Sequence, residues 1–149
     1  MGAGTTMNAA KRGYIAYQEA QANELDQAKL ILMMFAGAIR FLDRALEMQK
    51  TDAMEMSRLI SKAKNVILEL ISSLDIDNGG EIGTILMRAY RELFLKLNAA
   101  HIENDTRKIT DVRNSLAELE GSWKQVFAGS EYQAFKKNRA QFRALYTGK

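Results

Sequence analysis

Residues 104–126, NDTRKITDVRNSLAELEGSWKQV, carry the cleanest pattern in this chain of 149 residues. Ile109, Val112, Leu116, Leu119, Trp123 and Val126 recur at steps of three and four, the spacing that keeps side chains on one stripe of an α-helix. Asn104-Asp105 supplies the turn and the N-cap ahead of that stripe. One amphipathic helix is not a fold, but the same spacing appears three more times upstream. Ile31, Phe35, Ala38, Leu42 and Ala45 predict a first helix, with Asp26 available as its cap and an end near Gln49. Met56, Ile60, Ala63, Ile67, Leu70 and Leu74 predict a second, for which Thr51 or Asp52, with Glu55, offers a capping box. Ile82, Leu86, Ala89, Leu93 and Leu97 predict a third, running to about Glu103. Four amphipathic helices with short connections read as an all-α antiparallel four-helix bundle.

The connections agree with this. The strongest breaker is Asp75-Ile76-Asp77-Asn78-Gly79-Gly80, which separates two helical hairpins. Its acids have the outline of a calcium loop, but Leu86 stands where such a loop needs a bidentate glutamate. Glycine freedom at positive φ and a cap from Asp77, Asn78 or a glycine are the better reading. Proline is absent, which suits long uninterrupted helices.

Composition narrows the chemistry. With no cysteine there are no disulfides, thiolate nucleophiles or zinc-thiolate sites, and a reducing compartment is expected. His101 is the only histidine, and Asn98 stands where a bundle di-iron Glu-x-x-His pair needs its acid. No cofactor or metal is expected. His101 reads as a partly exposed polar residue or a partner for the helix dipole. No nucleophilic triad or phosphate-binding glycine loop is present, so an enzyme is not expected. The longest uncharged apolar stretch, Leu30 to Ile39, is about half of what a bilayer span requires, and no secretory signal precedes it. A cytoplasmic protein is the expectation.

The net charge of +3 is uneven. Residues 130–149 hold Lys136, Lys137, Arg139, Arg143 and Lys149 against Glu131, a balance of +4, which leaves the other residues at −1. The same stretch carries Tyr132, Phe135, Phe142 and Tyr146 along one helical stripe, after a capping box of Ser130 and Gln133. It reads as a basic aromatic C-terminal helix. Such a helix either docks its aromatic stripe on the bundle or binds nucleic acid or a membrane surface. A small basic nucleic-acid-binding protein is therefore the alternative function. Residues 1–12 read as a flexible leader or expression scar, and 13–129 as the helical-bundle domain with a short N-terminal segment.

The bundle holds more apolar surface than its core needs. Met33 and Ala36 leave the first half of the outer face of the first helix apolar, and Met87, Tyr90 and Phe94 lie off the main seam of the third. Either a flanking segment covers these residues, or they line a groove for an amphipathic partner helix, a use that suits flexible methionines. Both hold if the cover is removable.

Three blocks resemble the flagellin export chaperone family, FliS. Tyr14-Ile15-Ala16-Tyr17-Gln18 is similar to the family's paired N-terminal tyrosines, at the family's distance before Leu30–Leu42. Ser73-Leu74-Asp75 with Gly79-Gly80-Glu81-Ile82 resembles its inter-hairpin turn. Leu97-Asn98-Ala99-Ala100, Asn104-Asp105 and the seam through Trp123 form the third block. The resemblance implies a cytosolic chaperone of type III export. It implies binding of the disordered C-terminal segment of flagellin, protection from premature polymerisation, and delivery to the cytosolic domain of the export gate, with room for a co-chaperone. No small-molecule substrate is implied. Tyr14 and Tyr17 then edge a groove containing Met33, Ala36, Met87, Tyr90 and Phe94. Two positions depart from the family. Asp26-Gln27 replaces its usual Ser-Pro or Thr-Pro, which frees the first helix to begin upstream of Asp26. Phe35-Ala36 replaces an aromatic-polar pair and makes that face more apolar.

Overall fold

The computed structural model describes residues 24–74 and 76–129, with side chains placed over 29–74 and 80–129. The expectations for Tyr14, Tyr17, the leader and the C-terminal helix lie outside these residues. The described residues form four helices and no strand: α1 (Glu24–Glu47), α2 (Ala53–Ser73), α3 (Ile76–Glu103) and α4 (Thr106–Ala128). They make the expected all-α bundle. α1 packs chiefly on α2 and α4, and α3 on the same two, so the helices stand at the corners of a square in chain order. Polar contacts fix the antiparallel sense. Asp43 near the end of α1 meets Arg113 near the start of α4, and Ser57 at the start of α2 meets His101 at the end of α3.

Each connection is stabilised by local chemistry. Asp52 caps α2 by accepting from the Glu55 N–H at 2.9 Å. The box is not reciprocal, because both Glu55 oxygens are taken by Arg58 at 2.6 Å. That contact holds the Glu55 carboxyl below its ordinary pKa and the Arg58 guanidinium above its own. Between α3 and α4, Asn104 adopts φ 53°, while the N–H of Asp105 donates to the Ala100 carbonyl and that of Asn104 to His101. This left-handed C-cap closes α3. Asp105 then caps α4, accepting from the N–H groups of Arg107 and Lys108. One dipeptide ends one helix and starts the next.

Two boundaries differ from the sequence expectation. α1 begins at Glu24, so Asp26 lies inside the helix rather than capping it. The upstream extension expected from the missing proline is present. At the inter-hairpin turn, residues from Ile76 already follow the helical pattern, and the break is confined to Gly80 at φ 66°, ψ −146°. Its position requires glycine because L side chains strain the backbone there.

The core is built from Ile31, Phe35, Ala38, Leu42 and Ala45 of α1 and the whole predicted stripe of α2. From α4 come Ile109, Val112, Leu116 and Trp123, whereas Leu119 is half-buried and Val126 half-exposed. α3 buries the predicted Leu93 and Leu97 and adds Tyr90 and Ala100 to the core, whereas the N-terminal part of the predicted stripe lies outside it: Leu86 and Ala89 are half-buried and Ile82 is 59% exposed. Tyr90 is the largest fully buried side chain, edge-on to Phe35 with ring centroids 6.1 Å apart, and its hydroxyl accepts from Trp123 Nε1 at 3.4 Å. Trp123 in turn stacks on Phe127 at 5.2 Å. These aromatic contacts tie α1, α3 and α4 together across the bundle.

Candidate partner-binding surface

The expected groove residues divide into three groups. Met33 is 66% exposed on α1, and Ala36 is half-buried. Ala36 precedes Asp43 by one heptad, so it lies on the flank from which Asp43 reaches Arg113 of α4 at 2.8 Å. Met87, Phe94 and His101 are likewise heptad-spaced, and His101 faces Ser57 of α2 at 2.7 Å. Met87 and Phe94, both half-buried, therefore lie on the α2 flank of α3. These two pairs occupy different edges of the square and do not form one groove. Tyr90 belongs to neither edge: it is fully buried, so it is a core residue rather than an off-seam one.

The structure adds apolar surface that the sequence reading placed elsewhere or passed over. On the edge between α2 and α3, Met54 (85% exposed) and Leu68 of α2 lie two heptads apart, and Leu95 and Ile102 (79% exposed) of α3 lie one heptad apart. The signal was present as a second apolar stripe on each helix, parallel to the core stripe. On the edge between α3 and α4, Ile82, Ile85 and Val126 are each half-exposed or more. Ile82 and Val126 continue the spacing of the core stripes, so periodicity alone places them inside. Isolated apolar side chains on a surface are ordinary; clusters along helix edges mark interaction sites.

The polar contacts along these edges are few. Between α2 and α3, Lys64 Nζ donates to Asn98 Oδ1 at 3.2 Å, next along this edge from the Ser57–His101 pair. Burial, and then the nearby Lys64 charge, lower the pKa of His101, so its neutral form is favoured. Between α1 and α4, the hydrogen bond to Asp43 raises the pKa of Arg113. Among the described residues, the groups exposed along these edges offer apolar contact and scattered hydrogen bonds.

Comparison with known proteins gives this surface its context. Residues 9–130 match the family described as Flagellar protein FliS. The chain belongs to the FliS family. It is 35% identical over 107 residues to the flagellar secretion chaperone FliS of Salmonella typhimurium, covering 70% of this chain and 79% of that one. It is 31% identical over 114 residues to the Campylobacter jejuni chaperone of the same name, covering 76% and 89%. The Bacillus subtilis FliS is 28% identical over 114 residues, covering 76% and 84%. FliS is thus a family of flagellar secretion chaperones, and the apolar edges described above are surfaces of a chaperone bundle. No described helix of this FliS-family chain is long and apolar enough to cross a membrane.

Proposed function

We propose that this chain is a cytoplasmic type III export chaperone that holds the disordered C-terminal segment of flagellin, keeps it from polymerising early and hands it to the flagellar export gate. The observation that supports this reading most is the distribution of exposed apolar side chains along more than one edge of a FliS-family bundle. A single groove fits a single partner helix. Separate apolar edges suit a disordered ligand that folds as it wraps, spreading modest contacts over a large area. Met33, Ala36, Met87 and Phe94 contribute on two of those edges, and the reading extends to Tyr14 and Tyr17, which resemble the family's paired N-terminal tyrosines. Tyr90 contributes indirectly, by supporting α3 from inside. The protein acts by binding alone and needs no cofactor.

Calorimetric titration with the C-terminal segment of the cognate flagellin tests this. Saturable binding with a negative heat-capacity change is expected, because apolar surface is buried and a disordered segment becomes ordered. No saturable binding at about tens of micromolar, roughly −6 to −7 kcal/mol of affinity, overturns the reading.

A further inference from the structure

The edge between α3 and α4 can be traced from its polar end. Lys96 reaches Asp111 at 3.4 Å, and stepping back by heptads from Lys96 leads to Ala89 and Ile82, with Ile85 on the same flank. Along α4, the flank of Asp111 leads through Ser115 and Ser122 to Val126. Because the helices are antiparallel, and Tyr90 lies opposite Trp123, Ile82 and Ile85 come level with Val126. The result is an exposed apolar patch at one end of this edge. Beyond it toward Lys96, the rim carries Glu92 and Glu118, one heptad on from Ile85 and Asp111, both exposed and in no ion pair among the described residues.

α4 ends at Ala128 with Gly129 as its C-cap, just past Val126. The family match ends at residue 130, where the stretch with aromatic stripe Tyr132, Phe135, Phe142 and Tyr146 begins. At helical spacing, Arg139 falls on the stripe itself, between Phe135 and Phe142, and Lys136 and Arg143 fall along one side of it. We propose that residues 130–149 fold back as a helix along the α3/α4 edge, with Tyr132 and Phe135, the start of the aromatic stripe, on Ile82, Ile85 and Val126, and with Lys136, Arg139 and Arg143 toward Glu92 and Glu118. Length permits this: 20 residues span about 30 Å as a helix, most of the length of α4. Tethering favours it, since a segment joined at the edge of the patch has an effective concentration on the order of millimolar. Charge complements it, because the segment carries +4 and the rest of the chain −1. This proposal does not depend on flagellin binding.

Hydrogen–deuterium exchange on the full chain, without any partner, is the test. Amides between 132 and 146 are expected to exchange at least tenfold more slowly than an unstructured peptide, and the double variant Ile82→Glu, Ile85→Glu to return them to unstructured rates while α1, α2 and α4 keep their protection. Unstructured rates in the unaltered chain, or undiminished protection in the variant, overturn the proposal. A second measurement stands apart from the fate of α3 in that variant. The chain has no cysteine, so Ser122→Cys with Ala134→Cys can be linked by a short bifunctional maleimide and compared with Asn65→Cys, on the outer face of α2, with Ala134→Cys. Linkage at least tenfold faster for the first pair, at a rate independent of protein concentration, supports intramolecular docking. Equal rates overturn it, and a rate that rises with concentration assigns the patch to a second copy instead.

Discussion

α2 and α3 pack side by side yet distribute their apolar residues differently. In α2 the stripe from Met56 to Leu70, continued by Leu74, is entirely buried, and of its large apolar side chains Met54 and Leu68 alone are exposed. In α3 apolar residues occupy several faces: Tyr90, Leu93 and Leu97 point inward, Ile82 and Ile85 lie on the α4 flank, and Leu95 and Ile102 are exposed toward α2. A helix that spends most of its apolar residues on one stripe serves chiefly the fold. One with apolar residues on several faces serves the fold and leaves surface for something else.

Core substitution tests this contrast most severely. Tyr90→Ala should cost about 3–5 kcal/mol in denaturant unfolding, the range for deleting a large buried aromatic, whereas Ile82→Ala and Ile85→Ala should each stay within about 0.5 kcal/mol. Equal costs would return the core stripe of α3 to the Ile82 line and abolish the difference between the helices. The starts of the two helices provide the next tests. Gly80→Ala should lose about 1–3 kcal/mol from its backbone conformation alone, since no neighbouring atom lies within 4 Å of an added Cβ. Asp52→Ala should lose about 1 kcal/mol with the α2 cap. A Gly80→Ala variant as stable as the parent would mean that α3 begins without a break.

The smallest expected effect is a pH dependence where α2 meets α3. Burial and Lys64 lower the folded pKa of His101, so the unfolded chain takes up the proton first as pH falls. The contribution is complete above the unfolded imidazole value of about 6.5 and declines below it toward the folded value. Thermal unfolding between about pH 7.5 and 5.5 should therefore show a loss of stability that His101→Gln diminishes. An identical loss in the variant would assign it to other groups.

α2 and α4 were the most legible elements because each has one dominant stripe and an aspartate cap whose side chain performs the expected role. α1 was legible in its core, but Asp26 misplaced its start: with glutamine rather than proline at position 27, nothing obliges the helix to begin there. α3 misled for the reason that makes it interesting. With Ile82, Ile85, Leu86, Met87, Ala89 and Tyr90 all apolar, several stripes fit the period, and only packing against Phe35 and Trp123 selects Tyr90 for the interior. The candidate surface was legible in part. Met33 is exposed as expected, but periodicity does not report which neighbour a flank faces, so residues on separate edges read as one groove.

The square arrangement of helices in chain order also governs how the molecule assembles. Three of the four main helix contacts join consecutive helices, and only the meeting of α1 with α4, marked by Asp43 and Arg113 at a separation of 70 residues, closes a long loop. Contacts between consecutive helices have low loop-closure entropy and form quickly, which places this chain among fast-folding topologies. A chain of this kind reaches its native shape soon after synthesis, because little of its architecture waits on a distant contact.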